Sequence, residues 1–153
     1  MREIQLFTIR PALVGDISFI ADIEAETLKE TTDAPPAHLR EEVLDFYTRK
    51  IFGICALLVA DVSGTVVGYT GFRKDWIEHL RVRSQYHRLG IGKALLNYAK
   101  EIHPYLQLWC FQHIPARNFY KSQGFLEVEF TDGAENDEKL PDVRMEWRRS
   151  FSA

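Results

Sequence analysis

Long apolar runs are absent from this sequence, and with them the simplest route into a membrane. No stretch of the 153 residues approaches the ~20 apolar positions that a spanning helix needs. Met1 to Arg10 mixes charged with apolar residues, unlike the leader of a secreted chain. The expectation is a cytoplasmic protein without a membrane partner. Cysteine is scarce as well: Cys55 and Cys110 stand far apart, inside apolar runs and without Cys-x-x-Cys spacing. That pattern predicts two free thiols rather than a disulfide framework. Charge of one sign is also lacking. A net charge of −3 gives no bulk attraction to nucleic acid or anionic lipid, so no nucleic-acid partner is expected and partners must be argued from local sites.

What is present suits one packed domain. Hydrophobic residues make up 46% and charged residues 27%, with ten Phe and three Trp, and there is no repeat, low-complexity tract or linker to divide residues 1–153. Ile4 to Arg10 alternates as a strand does; Pro11 ends it, and Asp16 is placed to cap a helix from Ile17 to Glu30. Pro35-Pro36 breaks the chain before a second helix carrying Leu39, Val43, Phe46 and Tyr47 on one face. Cys55 to Val62 and Thr65 to Arg73 flank Ser63-Gly64, a hairpin signal, and Ile77 to Arg83 extends that antiparallel sheet.

The segment Gly90 to Ile102 reads as a helix with Ile91, Leu95, Tyr98 and Ile102 on one face, stopped by His103-Pro104. Tyr105 to Phe111 is a strand, Pro115 starts a short helix, and Gly124 caps it before strand Phe125 to Phe130. An acidic loop from Thr131 to Asp142 leads into a last strand, Val143 to Arg149. The fold class expected is α/β, with a mixed, mostly antiparallel sheet and about four helices.

Strand, glycine turn and helix meet at His87-Arg88-Leu89-Gly90-Ile91-Gly92-Lys93. Backbone N–H groups at such a handover converge on one spot, glycine lets a pyrophosphate approach, and Arg88 and Lys93 supply counter-charge. Two other phosphate motifs fail on spacing. A P-loop needs glycine where His87 stands and Ser or Thr where Ala94 stands, and a dinucleotide fingerprint needs a small residue where Leu95 stands.

The stretch from Ile77 to Leu96 resembles motif A of the GNAT superfamily of N-acetyltransferases, in which a strand precedes a [Gln/Arg]-x-x-Gly-x-[Gly/Ala] turn. Gly90 and Gly92 match, and His87 departs from the usual residue. Ala116-Arg117-Asn118-Phe119-Tyr120 through Gly124-Phe125 resembles the family's motif B, Ala-x-x-x-Tyr-x-x-x-Gly-Phe, with His113 where an asparagine is common. The resemblance implies a V-shaped splay between strands four and five that receives the pantetheine arm of acetyl-CoA. It also implies backbone contacts from Leu80, Arg81 and Val82, phosphate contacts from His87 to Lys93, and cofactor contacts from His113 and Asn118.

By the same resemblance Tyr120 is the acid that protonates the departing thiolate. Transfer to an amine also needs a proton acceptor, and Glu78, early on the cleft strand, is the leading candidate. His79 has the better intrinsic pKa but lies on the opposite face under strict alternation. Glu24 and Glu26 of the first helix, with His79, are candidates to meet a cationic acceptor, a small-molecule or peptide amine. No metal is required, since the histidines show no ligand spacing. Cys110 lacks a basic partner and is expected to be structural. A CoA-binding module without transfer activity is the alternative function, and a homodimer, through a last strand bearing Met145 and Trp147, is left open.

Overall fold

The computed structural model describes residues 6–31 and 52–150. They pack as two compact units, the first holding the chain to Arg73 and Glu78–Tyr98, the second Lys74–Ile77 and the chain from Ala99. The second helix expected from sequence lies outside the described residues.

The first unit begins with β1 (Thr8–Pro11) and α1 (Ile17–Thr31), and continues with β2 (Ala56–Val62) and β3 (Thr65–Arg73). It then takes in β4 (Trp76–Val82) from Glu78 onward and the opening of α2 (Ile91–Ile102). β1 pairs antiparallel with β2, and Pro11, expected to stop the strand, is instead its last paired residue, opposite Leu58. On an edge strand its missing N–H is tolerated. Ser63 and Gly64 both have positive φ, 52° and 91°, as a tight turn twisted to match the strands requires.

Ile17, Ile20 and Ile23 of α1 pack on Leu57, Val59, Val66 and Tyr69. Val66 through Phe72 are buried without a break, so both faces of β3 are covered. Asp16 departs from expectation. It closes a 3-10 turn rather than capping α1, its carboxylate accepting from the Leu13 N–H at 2.7 Å and binding Arg10 at 2.8 Å, with Asp61 3.1 Å from the same guanidinium. Local backbone and a long-range cation together outweigh the simple cap.

The second unit contains the start of β4, the end of α2, β5 (Tyr105–Phe111), α3 (Ala116–Ser122), β6 (Leu126–Thr131) and β7 (Asp142–Arg148). β5 and β7 pair antiparallel along their full length and β6 pairs antiparallel with β7. Parallel pairing of β4 with β5 is limited to the opening of β4, where Trp76 stands opposite Gln107. The sheet is mixed and mostly antiparallel, as the sequence implied.

Leu106, Leu108, Cys110, Val143, Met145 and Phe125 form the buried apolar set of this unit. Met145 is fully buried, so it completes the core. Ile102, expected on the apolar face of α2, is 51% exposed, whereas Ile91 and Leu95 of that face are buried together with Leu96 and Ala99. Both cysteines are free thiols. Among the described residues three helices of more than one turn flank the strands.

Candidate active site

In the first unit, α1 and the strands bring four of the chemistry-bearing side chains together. The Tyr69 hydroxyl donates to Glu24 Oε1. Arg81 Nε lies 3.4 Å and His79 Nδ1 3.9 Å from that same oxygen. Strand alternation explains the grouping, because residues two apart on β4 face the same side. Gly71 packs beneath the cluster: a Cβ there would stand 2.9 Å from the Leu57 side chain and in ordinary contact, 3.5 Å, with the His79 ring. The His79 carbonyl is fixed in turn by the Thr70 hydroxyl at 2.7 Å. Burial pushes the His79 imidazole below its ordinary pKa; Glu24 opposes that shift, Arg81 adds to it, and Glu78 opposes it.

Glu78 sits differently, half-exposed and 3.3 Å from the exposed Arg73 guanidinium. Glu26 reaches Arg83 at 3.8 Å.

The turn after β4 is built by backbone conformation. Arg88 has φ 66° and Gly90 φ 84°, and a Cβ placed on Gly90 would meet nothing within 4 Å. A non-glycine residue held at positive φ costs of order 1–3 kcal/mol and persists only where the surroundings impose it. Gly90 O then accepts the Ala94 N–H at 2.9 Å, so α2 starts with its first N–H groups unclaimed by the helix and aimed at an exposed turn. Leu89 is exposed beside it and Ile91 is buried in the core. His87 turns back: its Nε2 lies 2.7 Å from the Val82 carbonyl, bracing the turn against the end of β4. Gly92 and Lys93 belong to the first turn of α2, Lys93 exposed.

In the second unit, Pro115 precedes α3 and Gly124, at φ 91°, ends it with its N–H on the Lys121 carbonyl. Tyr120 is 8% exposed, with Phe119 and Phe125 edge-on at 5.4 and 5.7 Å, and its carbonyl accepts the Phe125 N–H. The Tyr-x-x-x-Gly-Phe spacing thus turns the chain tightly enough for Phe125 to pack on Tyr120. His113 and Asn118 are exposed, His113 beside the Phe111 ring at 6.0 Å. The sequence reading did not single out Tyr69. The available signal was a phenol inside a buried apolar run, where the hydroxyl needs a partner.

Residues 53–127 match the acetyltransferase (GNAT) domain family. An N-alpha-acetyltransferase of Sulfurisphaera tokodaii is 31% identical over 146 residues, covering 80% of this chain and 82% of that protein. The peptidyl-lysine N-acetyltransferase YiaC of Escherichia coli is 36% identical over 92 residues, 58% of this chain, and the match spans 61% of its length. In structure, the PaiA N-acetyltransferase of Thermoplasma acidophilum, solved with coenzyme A, superposes with a TM-score of 0.73 at 21% identity, covering 94% of this chain and 99% of that one. The chain belongs to the GNAT acetyltransferase family.

Proposed function

We propose that the protein transfers the acetyl group of acetyl-CoA directly to a primary amine of a small molecule or peptide. The observation that carries this reading is the turn between β4 and α2, in which Arg88 and Gly90 are held at positive φ. It offers backbone N–H groups and the cations Arg88 and Lys93 to a pyrophosphate, and Leu80 to Val82 of β4 supply backbone for the pantetheine amides. His113 and Asn118 are assigned to the same cofactor. One similar protein is named a peptidyl-lysine N-acetyltransferase and another an N-alpha-acetyltransferase, which supports a peptide amine as acceptor.

The amine attacks the thioester carbonyl, the C–S bond breaks, and the sulfur takes a proton from the Tyr120 phenol, whose ordinary pKa of about 10 keeps it protonated at neutral pH. The acceptor's own proton goes to β4, which presents Glu78 and His79 as neighbours. No helix of the described residues is long and apolar enough to cross a membrane, and we place the protein in the cytoplasm.

The test is titration of cofactor-free protein with acetyl-CoA, followed by thiol release on adding a panel of peptide and small amines. Micromolar binding with amine-dependent thiol supports the reading, bound cofactor with no thiol turns it into a CoA-binding module, and absence of binding overturns it. Replacing Tyr120 by Phe should lower turnover by about 10²-fold or more while acetyl-CoA affinity changes little.

A further inference from the structure

We infer that His79 removes the proton from the acceptor ammonium and that Glu24, anchored by Tyr69, is the residue that positions it. The inference rests on the N-acetyltransferase reading above and supplies its proton acceptor.

The geometry separates the two neighbours on β4. Glu78 is half-exposed and already faces Arg73 at 3.3 Å, so taking a proton would cost it that ion pair. The His79 side chain is 21% exposed, and its Nδ1 lies 3.9 Å from the Glu24 carboxylate. At 3.9 Å the carboxylate is too far for a hydrogen bond to Nδ1, and it is its charge that favours a proton on the nitrogen facing it and Nε2 as the accepting atom. Glu24 is in turn held by the Tyr69 hydroxyl and by Arg81.

The step balances. One ammonium N–H bond breaks and an N–H bond forms at Nε2, the freed nitrogen lone pair attacks the acetyl carbonyl, and as the C–S bond breaks the nitrogen's second proton restores the Tyr120 phenol that protonated the sulfur. The imidazolium formed gains the Glu24 carboxylate as counter-ion. Among the described residues, Glu24 from α1, Tyr69 from β3 and Arg81 on β4 face the ring, and Glu78 acts on it by its charge from the other side of β4. Burial and Arg81 keep the imidazole neutral near pH 7, the form a base needs, while the two carboxylates draw its pKa back toward the working range.

The test is the pH profile of kcat/KM in purified full-length variants, after amine-dependent thiol release has been shown for the wild type. No release by the wild type would count against the transferase reading itself. His79→Gln should lose about 10²–10⁴-fold in kcat/KM and the acidic limb of its profile, with acetyl-CoA affinity kept. Glu24→Gln should move that limb to lower pH, because the carboxylate raises the histidine's pKa; Arg81→Gln should move it to higher pH. Opposite movements are what a merely structural cluster would not give. Ring NMR of His79 reads the same two shifts without turnover. If Glu78→Gln takes the loss and the limb while His79→Gln keeps both, or if neither Glu24→Gln nor Arg81→Gln moves the ring titration, the inference is overturned.

Discussion

Glu24 in the first unit and Glu127 in the second are buried to the same depth, each side chain 12% exposed, yet their surroundings differ in kind. Glu127 is gripped by two cations from one turn of α3: Arg117 at 2.7 Å on one oxygen and Lys121 at 3.1 Å on the other. Burial works against its charge, and the hydrogen bonds from Lys121 and Arg117 more than reverse this, holding the carboxyl below its ordinary range. Glu24 meets a phenol, an arginine at 3.4 Å and an imidazole at 3.9 Å. Equal burial thus serves two ends. A carboxylate paired with two cations fastens helix to strand, and one shared among a phenol, an arginine and a histidine acts by its charge on the histidine.

The largest expected effect follows from the tighter site. Glu127→Gln leaves Arg117 and Lys121 facing an amide, and should cost about 1.5–3 kcal/mol at pH 7 in urea unfolding, the usual range for hydrogen bonds to charged groups. Its pKa is depressed on folding, so the stability it contributes is present above the ordinary value of 4.5 and is lost as pH falls through the folded value. The gap between wild type and Glu127→Gln should therefore narrow on acidification. A gap independent of pH would show that packing, rather than charge, holds α3 to β6.

How much of this contrast the sequence carried follows from the range of the interactions. The Ser63-Gly64 hairpin, the positive-φ turn at Gly90 and the Tyr120 to Phe125 corner depend on neighbours a few residues apart, and all three were legible. The Glu24 cluster joins residues separated by up to 57 positions, from Glu24 to Arg81, through the docking of α1 on the strands. Alternation told that His79 and Glu78 face opposite ways, but nothing local said which helix would meet the histidine. Asp16 was misread for the same reason: its partner in the ion pair is Arg10 of the preceding strand, and its backbone partner Leu13 lies in a 3-10 turn that apolar periodicity does not announce. The assigned roles of the site residues come from the family resemblance, and their placement alone was read from the fold.

A smaller stability effect is expected at the looser site. Glu24→Gln retains an amide oxygen for the Tyr69 hydroxyl and removes one ionic contact of Arg81, which is already 39% exposed. The cost should be about 1 kcal/mol or less, below that of Glu127→Gln, while activity and the His79 titration respond. If Glu24→Gln proves the more destabilising of the two, the distinction between a fastening carboxylate and one that acts on the histidine fails. The histidine sharpens it further. Because burial lowers its folded pKa, the unfolded chain binds the proton more readily, so wild-type stability should fall as pH drops below the ordinary 6.5, and His79→Gln should remove that part of the decline.

The smallest change in activity is expected from Tyr69→Phe. Tyr69 is fully buried, and the substitution removes one oxygen and the hydrogen bond it donates to Glu24 while leaving the ring packed on α1. About 0.5–1.5 kcal/mol should be lost, and Glu24 keeps Arg81 as a partner. Because the carboxylate is loosened but still present, kcat/KM should drop only a few-fold, well short of the His79→Gln loss, and the His79 titration should move less than in Glu24→Gln. A larger movement, read by ring NMR, would mean that the phenol itself sets the imidazole. The cluster would then be ordered from β3 rather than from α1, and Glu24 would be a fastening carboxylate like Glu127.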